Sequence, residues 1–561
     1  MKVRPASSSR GKAIPILGIQ ILGRLPAKSA YRTGSKKGAR RRWPVLFSAA
    51  LVGAFVFALY LVTLAPGVLY YARPTLMDAA MLQVHATTLG ITHPTGYPTW
   101  VMATHLFTRL PVGEAAYAVN LASAVYGAAA VSAVCGACYL ISGRILPAAA
   151  GALAFGLGPT FWSAAVVPDV YTLNALFIAA FVALLLLWRR SRRERYLLLA
   201  AFVMGLSLTN HLTSGLLLPV GLVFVWLVDR GKLSERRLMP RAAGLFALGL
   251  TPYLYLPIRA SMDPPLAEAL PTTPGSFLTH VSGTEVNRAL LSVGPLRVLG
   301  SLVSHLSSLY SEFGLILLVI AAAGLYALLK RDRAAAALTG LPALGWFLYA
   351  LCYDIPDIDL YLIPIYLMAS LWIAAGAARL LREVETRVDH SRLGERAAPA
   401  FLGFLVLVVP LAGAAQTFAE VDRSGDREGR RIIETVAEET EPGSTVLHNR
   451  SSLWYMVLVE ERRRDLTLLD PFRPTAISTH DLVWPEDLTP EQAAPRYATY
   501  DNTGVAAARN AAARGETVYI LDQQSADATD FLLAGFEIVE VEEGVLYRLE
   551  PPEPPQQRVS R

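Results

Sequence analysis

Apolar residues run along this chain in blocks of about twenty, separated by short polar stretches, as far as about residue 418. Blocks of that length match the ~30 Å hydrocarbon core of a bilayer at the ~1.5 Å rise of a helix. Eleven are read as spans, at about 44–65, 117–141, 147–166, 170–188, 196–210, 212–228, 241–258, 313–329, 335–352, 361–381 and 399–418. The weakest is 196–210, and the turn at Asn210-His211 is open to a re-entrant reading. Beyond about 420 the periodicity shortens. It predicts a helix over 428–441, a strand over 444–448, a helix over 451–463 and a strand over 466–470. A helix over 504–515, a strand over 517–521 and a final strand pair, "FEIVEV" and "VLYRL", follow. The expected fold class is therefore an all-α polytopic membrane domain followed by a small soluble α/β domain. The expected divisions are a basic tail over 1–43, a multispanning domain over 44–418, a soluble domain over 419–550 and a disordered Pro-rich tail over 551–561. No internal repeat is evident.

Composition agrees, with 53% hydrophobic and only 17% charged residues in 561. The net charge of +6 conceals a segregation: the first 43 residues hold a dozen Lys or Arg and no acid, and the region after about 420 is acidic. With the basic tail inside, Arg144, "RRSRRER" (189–195), "DRGKLSERRLMPR" (229–241), "KRDR" (330–333) and "REVETRVDHSRLGER" (382–396) all fall on the cytoplasmic side. The extracytoplasmic side receives 66–116, Pro168-Asp169, Asn210-His211, 259–312, 353–359 and the C-terminal domain. Membrane orientation thus accounts for the basic clusters without nucleic acid. A bacterial inner membrane is the expected location. Cys135, Cys138 and Cys352 all fall in apolar runs, and the Cys135–Cys138 pair lacks the flanks of a redox or zinc site.

Four groups of polar residues face the outer side. Asp78 lies in the first outer loop with His85 and His93, where a carboxylate suits removal of a hydroxyl proton, or simple solvation. Asp169 opens an apolar helix after Pro168 and suits N-capping, a site role, or both. Asn210 and His211 are costly between spans unless they face a cavity. Arg259 ends a span at the lipid–water boundary, where a guanidinium either meets a phosphate oxyanion or snorkels to the interface. Asp354, Asp357 and Asp359 in "YDIPDID" leave a divalent cation open as a cofactor, but cap-and-loop solvation is the favoured explanation, and no metal ligand is assigned. The turn "HPTGYP" (93–98) combines Pro, which fixes φ, with Gly, which permits positive φ, and so returns the chain sharply to the membrane.

Several blocks resemble a polytopic family long catalogued as a domain of unknown function, whose animal member is an endoplasmic-reticulum protein O-mannosyltransferase of receptor ectodomains. They are Asp78, Gly90–Pro98, Leu110-Pro111 and Asn120-Leu121, then "FWSAAVVPDVYTLNALF" (161–177), "GLSLTNHLT" (205–213), "YLYLPIRA" (253–260), "FLTHVSG" (277–283) and "YDIPDIDLYLIPIY" (353–366). Two departures stand out: the family's acid three residues after the first Asp falls on Met81, and a Trp common after "LPIRA" is absent from 261–277.

The resemblance implies a GT-C-type glycosyltransferase. Such an enzyme takes a sugar, mannose favoured, from a polyprenyl-phosphate donor in the membrane lipid and moves it to a protein or glycan hydroxyl, with inversion. It implies Asp78 as the catalytic base, Arg259 on the lipid phosphate, and His93, Tyr97, Asp169, Asn210 and His211 around the substrate. A transporter or flippase of lipid-linked glycans is the alternative, and an assembly protein is a third.

Overall fold

The computed structural model describes residues 42–70, 78–284, 290, 293–387, 394–470, 503–521 and 531–552. The expected tails over 1–43 and 551–561 lie almost entirely outside these. Among the described residues eight helices are long and apolar enough to cross a membrane: Trp43–Val62, Ala115–Ser142, Tyr171–Ser191, Leu212–Ser234, Pro295–Arg331, Arg333–Leu351, Ile358–Thr386 and Gly403–Val421. The pair Ile145–Gly156 and Pro159–Ala165, bent by 68°, is either a ninth, broken span or a re-entrant loop. The chain is integral to a membrane, and all eleven expected spans coincide with helix. One is divided. The span expected at 196–210 is the helix Arg195–Leu208, and that at 241–258 divides into Leu238–Gly249, a 3₁₀ turn and Tyr255–Ala260.

Small residues set how these helices pack. A Cβ on Gly376 would lie 2.0 Å from the carbonyl oxygen of Ile320, and one on Gly324 would lie 1.9 Å from that of Trp372. The helices Pro295–Arg331 and Ile358–Thr386 thus cross backbone to backbone, as small-residue pairs allow in lipid. Gly205 and Gly249 make the same kind of contact between the two short helices. Ile358–Thr386 is the central helix, with Tyr366, Leu367, Met368, Leu371, Ile373, Ala374 and Ala377 wholly buried. The bend after Gly156 follows from Pro159 at the first position of the next helix. The Glu312 carboxylate caps that helix from the neighbouring one by accepting the Thr160 N–H at 3.2 Å.

The C-terminal part forms a mixed sheet. Its strands are β1 (Thr445–Leu447), β2 (Thr467–Leu469), β3 (Val518–Leu521), β4 (Glu537–Glu542) and β5 (Leu546–Glu550), in the order β2-β1-β3-β5-β4. β1 is parallel to β2 and β3, while β5 is antiparallel to β3 and β4. The helix expected at 451–463 is shorter, Leu453–Leu458. This part packs through Ile432, Val436, Leu453, Trp454 and Met456 onto Met81, Val84, Ala116 and Leu266. The Tyr455 hydroxyl accepts the Ala116 N–H at 3.1 Å, and Arg430 pairs with Glu114 at 2.6 Å.

The molecule has two polar ends. Ala115–Ser142 is about 42 Å long at ~1.5 Å per residue. Its start meets Tyr455, and Arg144, just past its end, pairs with Glu385. The pairs Arg189–Asp332 and Lys232–Glu194 join other basic loops that the sequence reading places on the same side as Arg144. Gly376→Ala should cost about 1–3 kcal/mol by overpacking the central crossing. Gly136→Ala, where a Cβ meets nothing within 4 Å, should be neutral or slightly stabilising. Thermal melting of the two variants in detergent checks the difference.

Candidate active site

The short helix Ala79–Thr88 begins at Asp78 and ends at Leu89 in the left-handed region, φ 55°. A left-handed end suits glycine better than leucine. Arg259 supports this one, donating from Nε to the Leu89 carbonyl at 2.7 Å and from Nη2 to the Thr88 carbonyl at 3.1 Å. The turn that follows is tied on both flanks. Ile91 N–H donates to Leu266 and Glu268 N–H to the Ile91 carbonyl, while Thr99 and Thr209 join at 2.6 Å through their hydroxyls. Gly96 takes φ 86° and leaves no room for a side chain beside Leu256 and His280.

These ties bring together charges that are far apart in sequence. Asp78 Oδ1 accepts from Arg450 Nη2 at 2.8 Å, and Arg450 Nη1 donates to Glu268. Glu268 Oε1 meets His85 Nε2 at 3.1 Å and lies 3.8 Å from His93 Nδ1. His93 Nε2 sits 3.6 Å from Asp78 Oδ2 and 3.1 Å from the Tyr97 hydroxyl. The Arg450 and Glu268 side chains are only 2% and 5% exposed, whereas the Asp78 side chain keeps 33%. Asp78 is therefore the most accessible member of the group, followed by His93 at 20%.

Burial alone would lift the Glu268 carboxyl, but the Arg450 charge and the two histidines hold it well below its usual range. Burial pulls His93 down, yet Asp78 and Glu268 outweigh this and raise it. His85, fully enclosed, is lowered by burial in spite of Glu268.

Tyr97 connects this group to a cavity of about 320 Å³. Its ring lines the cavity with His211, Tyr349, Tyr353 and Tyr361. It stacks on His211 at 6.1 Å, and His211 in turn meets Tyr171 and Tyr361. Burial pushes His211 down to about 4. The ring is therefore neutral, a hydrogen-bonding and stacking surface.

Of the residues expected at the site, Asp78, His93 and Tyr97 meet directly and His211 joins through Tyr97. Asp169 and Asn210 stand behind them. Asp169 Oδ1 accepts the Tyr171 N–H at 2.9 Å, its carbonyl takes the Trp100 indole N–H, and Asn210 donates to the Val170 carbonyl. Asp169 sits one residue before the N-cap Val170 of Tyr171–Ser191 and takes that helix's first N–H. Arg259 is turned onto the end of the site helix. The acidic trio is divided: Asp354 pairs with Arg297, Asp359 accepts from Ser308, and Asp357 is pushed up to about 6 by burial and by Asp78. Among the described residues no group of three or more His, Cys, Asp or Glu is placed to hold a metal ion. Met81 is buried against the C-terminal domain, and the second carboxylate beside Asp78 comes from Glu268. Sequence reasoning missed Glu268 and Arg450. The one available signal for Arg450 is its place in "HNRSS" at the end of β1, since ligand-contacting loops gather at the carboxyl ends of parallel strands.

Residues 78–234 match the family model of the protein O-mannosyl-transferase TMEM260 N-terminal domain. The resemblance read from the sequence holds. The mouse protein O-mannosyl-transferase TMEM260 is 29% identical over 276 residues, 47% of this chain and 37% of the relative. Its Dictyostelium discoideum counterpart is 23% identical over 273 residues, 45% of this chain and 33% of the relative. The chain spans about a third of the length of these relatives. Among solved structures, ArnT from Cupriavidus metallidurans bound to undecaprenyl phosphate superposes with a TM-score of 0.59 at 14% identity, over 89% of this chain and 97% of that one. The Archaeoglobus fulgidus oligosaccharyltransferase gives 0.52 at 13% identity, over 86% and 70%. These likenesses establish the fold, which is the GT-C-like one expected. The TMEM260 match begins at Asp78 and stops short of both Glu268 and Arg450.

Two measurements probe the charge group. Arg450→Met leaves Glu268 buried without its guanidinium and should cost about 3–5 kcal/mol, much of which Arg450→Met/Glu268→Gln should recover. The raised His93 contributes stability that is complete below its ordinary value of 6.5 and lost as pH rises through the raised value. The depressed Glu268 contributes stability that is present above 4.5 and lost as pH falls through the depressed value. Melting temperature followed upward from pH 6 should therefore fall in wild type, and His93→Gln should remove that part of the fall.

Proposed function

We propose that the chain is an integral-membrane glycosyltransferase, with mannose the favoured sugar, a polyprenyl-phosphate donor, and a protein or glycan hydroxyl as acceptor. The observation that carries this reading is the partly open Asp78 carboxylate, held among Arg450, Glu268 and His93 next to an aromatic cavity, in a fold shared with a protein solved with undecaprenyl phosphate. Asp78 takes the acceptor's hydroxyl proton as the acceptor oxygen bonds to the sugar C1. The C1–O bond to phosphate breaks on the opposite face, so the anomeric carbon inverts and polyprenyl phosphate leaves as an anion. His93 and Tyr97 orient the carboxylate and the entering hydroxyl, and the tyrosines around His211 offer stacking faces to a pyranose. Asp169 and Asn210 fix the wall behind them. The site end is the extracytoplasmic one, because the basic loops at the opposite end satisfy the positive-inside rule.

The test supplies purified chain with polyprenyl-phosphate mannose and a hydroxyl-bearing peptide or glycan. Wild type should form a new glycoside, and Asp78→Asn should slow it on the order of 10²–10⁴-fold. Equal rates would remove Asp78 from the chemistry. Movement of intact donor across a vesicle bilayer with no glycoside formed would make the chain a flippase instead.

A further inference from the structure

We propose that Arg450, delivered by the C-terminal domain, is the ligand of the donor's phosphate, and that it exchanges the Asp78 carboxylate for that phosphate when the donor binds. The inference rests on the glycosyltransferase reading and specifies how its leaving group is held.

A departing lipid phosphate calls for a guanidinium, whose fork suits phosphate oxygens. Arg259, the expected candidate, already directs two donors to the carbonyls of Leu89 and Thr88. Arg450 is the guanidinium that touches Asp78. Its two terminal nitrogens have unequal partners. Nη1 holds Glu268, which is buried and further fixed by His85, whereas Nη2 holds Asp78, the exposed carboxylate. Nε is buried and has no hydrogen-bond partner among the described residues. A buried N–H without an acceptor is costly, so it marks a place for an incoming oxygen.

The backbone supports the same role. Arg450 takes φ 43°, strained for a residue with a side chain, and its N–H is held by Asp470 at 2.9 Å. It lies just beyond the carboxyl end of β1, between parallel strands β2 and β3.

Exchange leaves Arg450 with two anionic partners before and after. At rest Arg450 is neutralised by Glu268 and Asp78 shares its charge. With donor bound, a phosphate oxygen takes the Nη2 and Nε donors while Glu268 keeps Nη1. Asp78 is freed of the guanidinium to accept the hydroxyl proton only when a leaving group is in place, so proton removal is coupled to the arrival of the donor.

The experiment measures binding of undecaprenyl phosphate, and separately of inorganic phosphate, to the full chain in lipid nanodiscs. The double variant Arg450→Met/Glu268→Gln, which buries no lone charge, should bind undecaprenyl phosphate on the order of 10- to 100-fold more weakly while melting near wild type. Asp78→Asn, which gives Arg450 up to the ligand, should bind it more tightly than wild type. A purely structural Arg450 predicts none of these changes. Wild-type affinity in the double variant, no gain in Asp78→Asn, or inorganic phosphate bound as tightly as the lipid would overturn the proposal. If sugar transfer depends on Asp78 while lipid-phosphate binding ignores Arg450, the exchange fails and the glycosyltransferase reading stands. If wild type binds the lipid through Arg450 yet makes no glycoside, the reverse holds.

Discussion

Everything at this site depends on one buried ionic contact. Arg450 and Glu268 face each other with almost no access to solvent, and each would be prohibitive there without the other. The cost of burying them is met by surrounding partners: His85 on Glu268, and Asp78 and the strand-end loop on Arg450. Once that contact forms, it fixes the distance between the membrane helices and the C-terminal sheet. Asp78 then has one carboxylate oxygen committed to protein and the other near His93.

The turn "HPTGYP" serves this arrangement indirectly. It carries His93 and Tyr97 at a four-residue separation that lets ring and hydroxyl meet, and it is strapped down by backbone contacts to 266–268 and to Thr209. The same strap places Glu268. A single loop-to-loop bridge, Ile91 against Ala267, therefore positions both the acid that holds Arg450 and the histidine that faces Asp78. Arg259 contributes from below by supporting a helix end that leucine would otherwise make poorly.

Much of the fold was legible because lipid imposes length and polarity on each span, and because the strands of the C-terminal sheet alternate or run apolar between clear turn residues. Where the reading erred, local detail had overridden pattern. The segment at 241–258 looks like a full span by hydropathy, but it breaks after Gly249, where close packing on Gly205 joins it to the weak span at 196–210. Asp78, His93, Tyr97 and His211 were legible because rigid or costly residues surround them. Glu268 was not, since an acid in a Pro-rich loop looks solvated until Arg450 is seen against it. Arg259 was legible as important, and its contacts in the structure are with the Leu89 and Thr88 carbonyls, since an arginine at a span end satisfies carbonyls as readily as phosphates.

Asp78 and Arg450 are 372 residues apart in the chain. At the ~5–20 residues made per second during synthesis, roughly 20–75 s separate their emergence. Throughout that interval the membrane helices can insert and pack, but the carboxylate has no guanidinium and Glu268 has no counter-charge. Assembly of the site thus waits on the C-terminal domain, and a product truncated before Arg450 carries the described spans without the means to finish its centre. Membrane insertion and competence become separate steps.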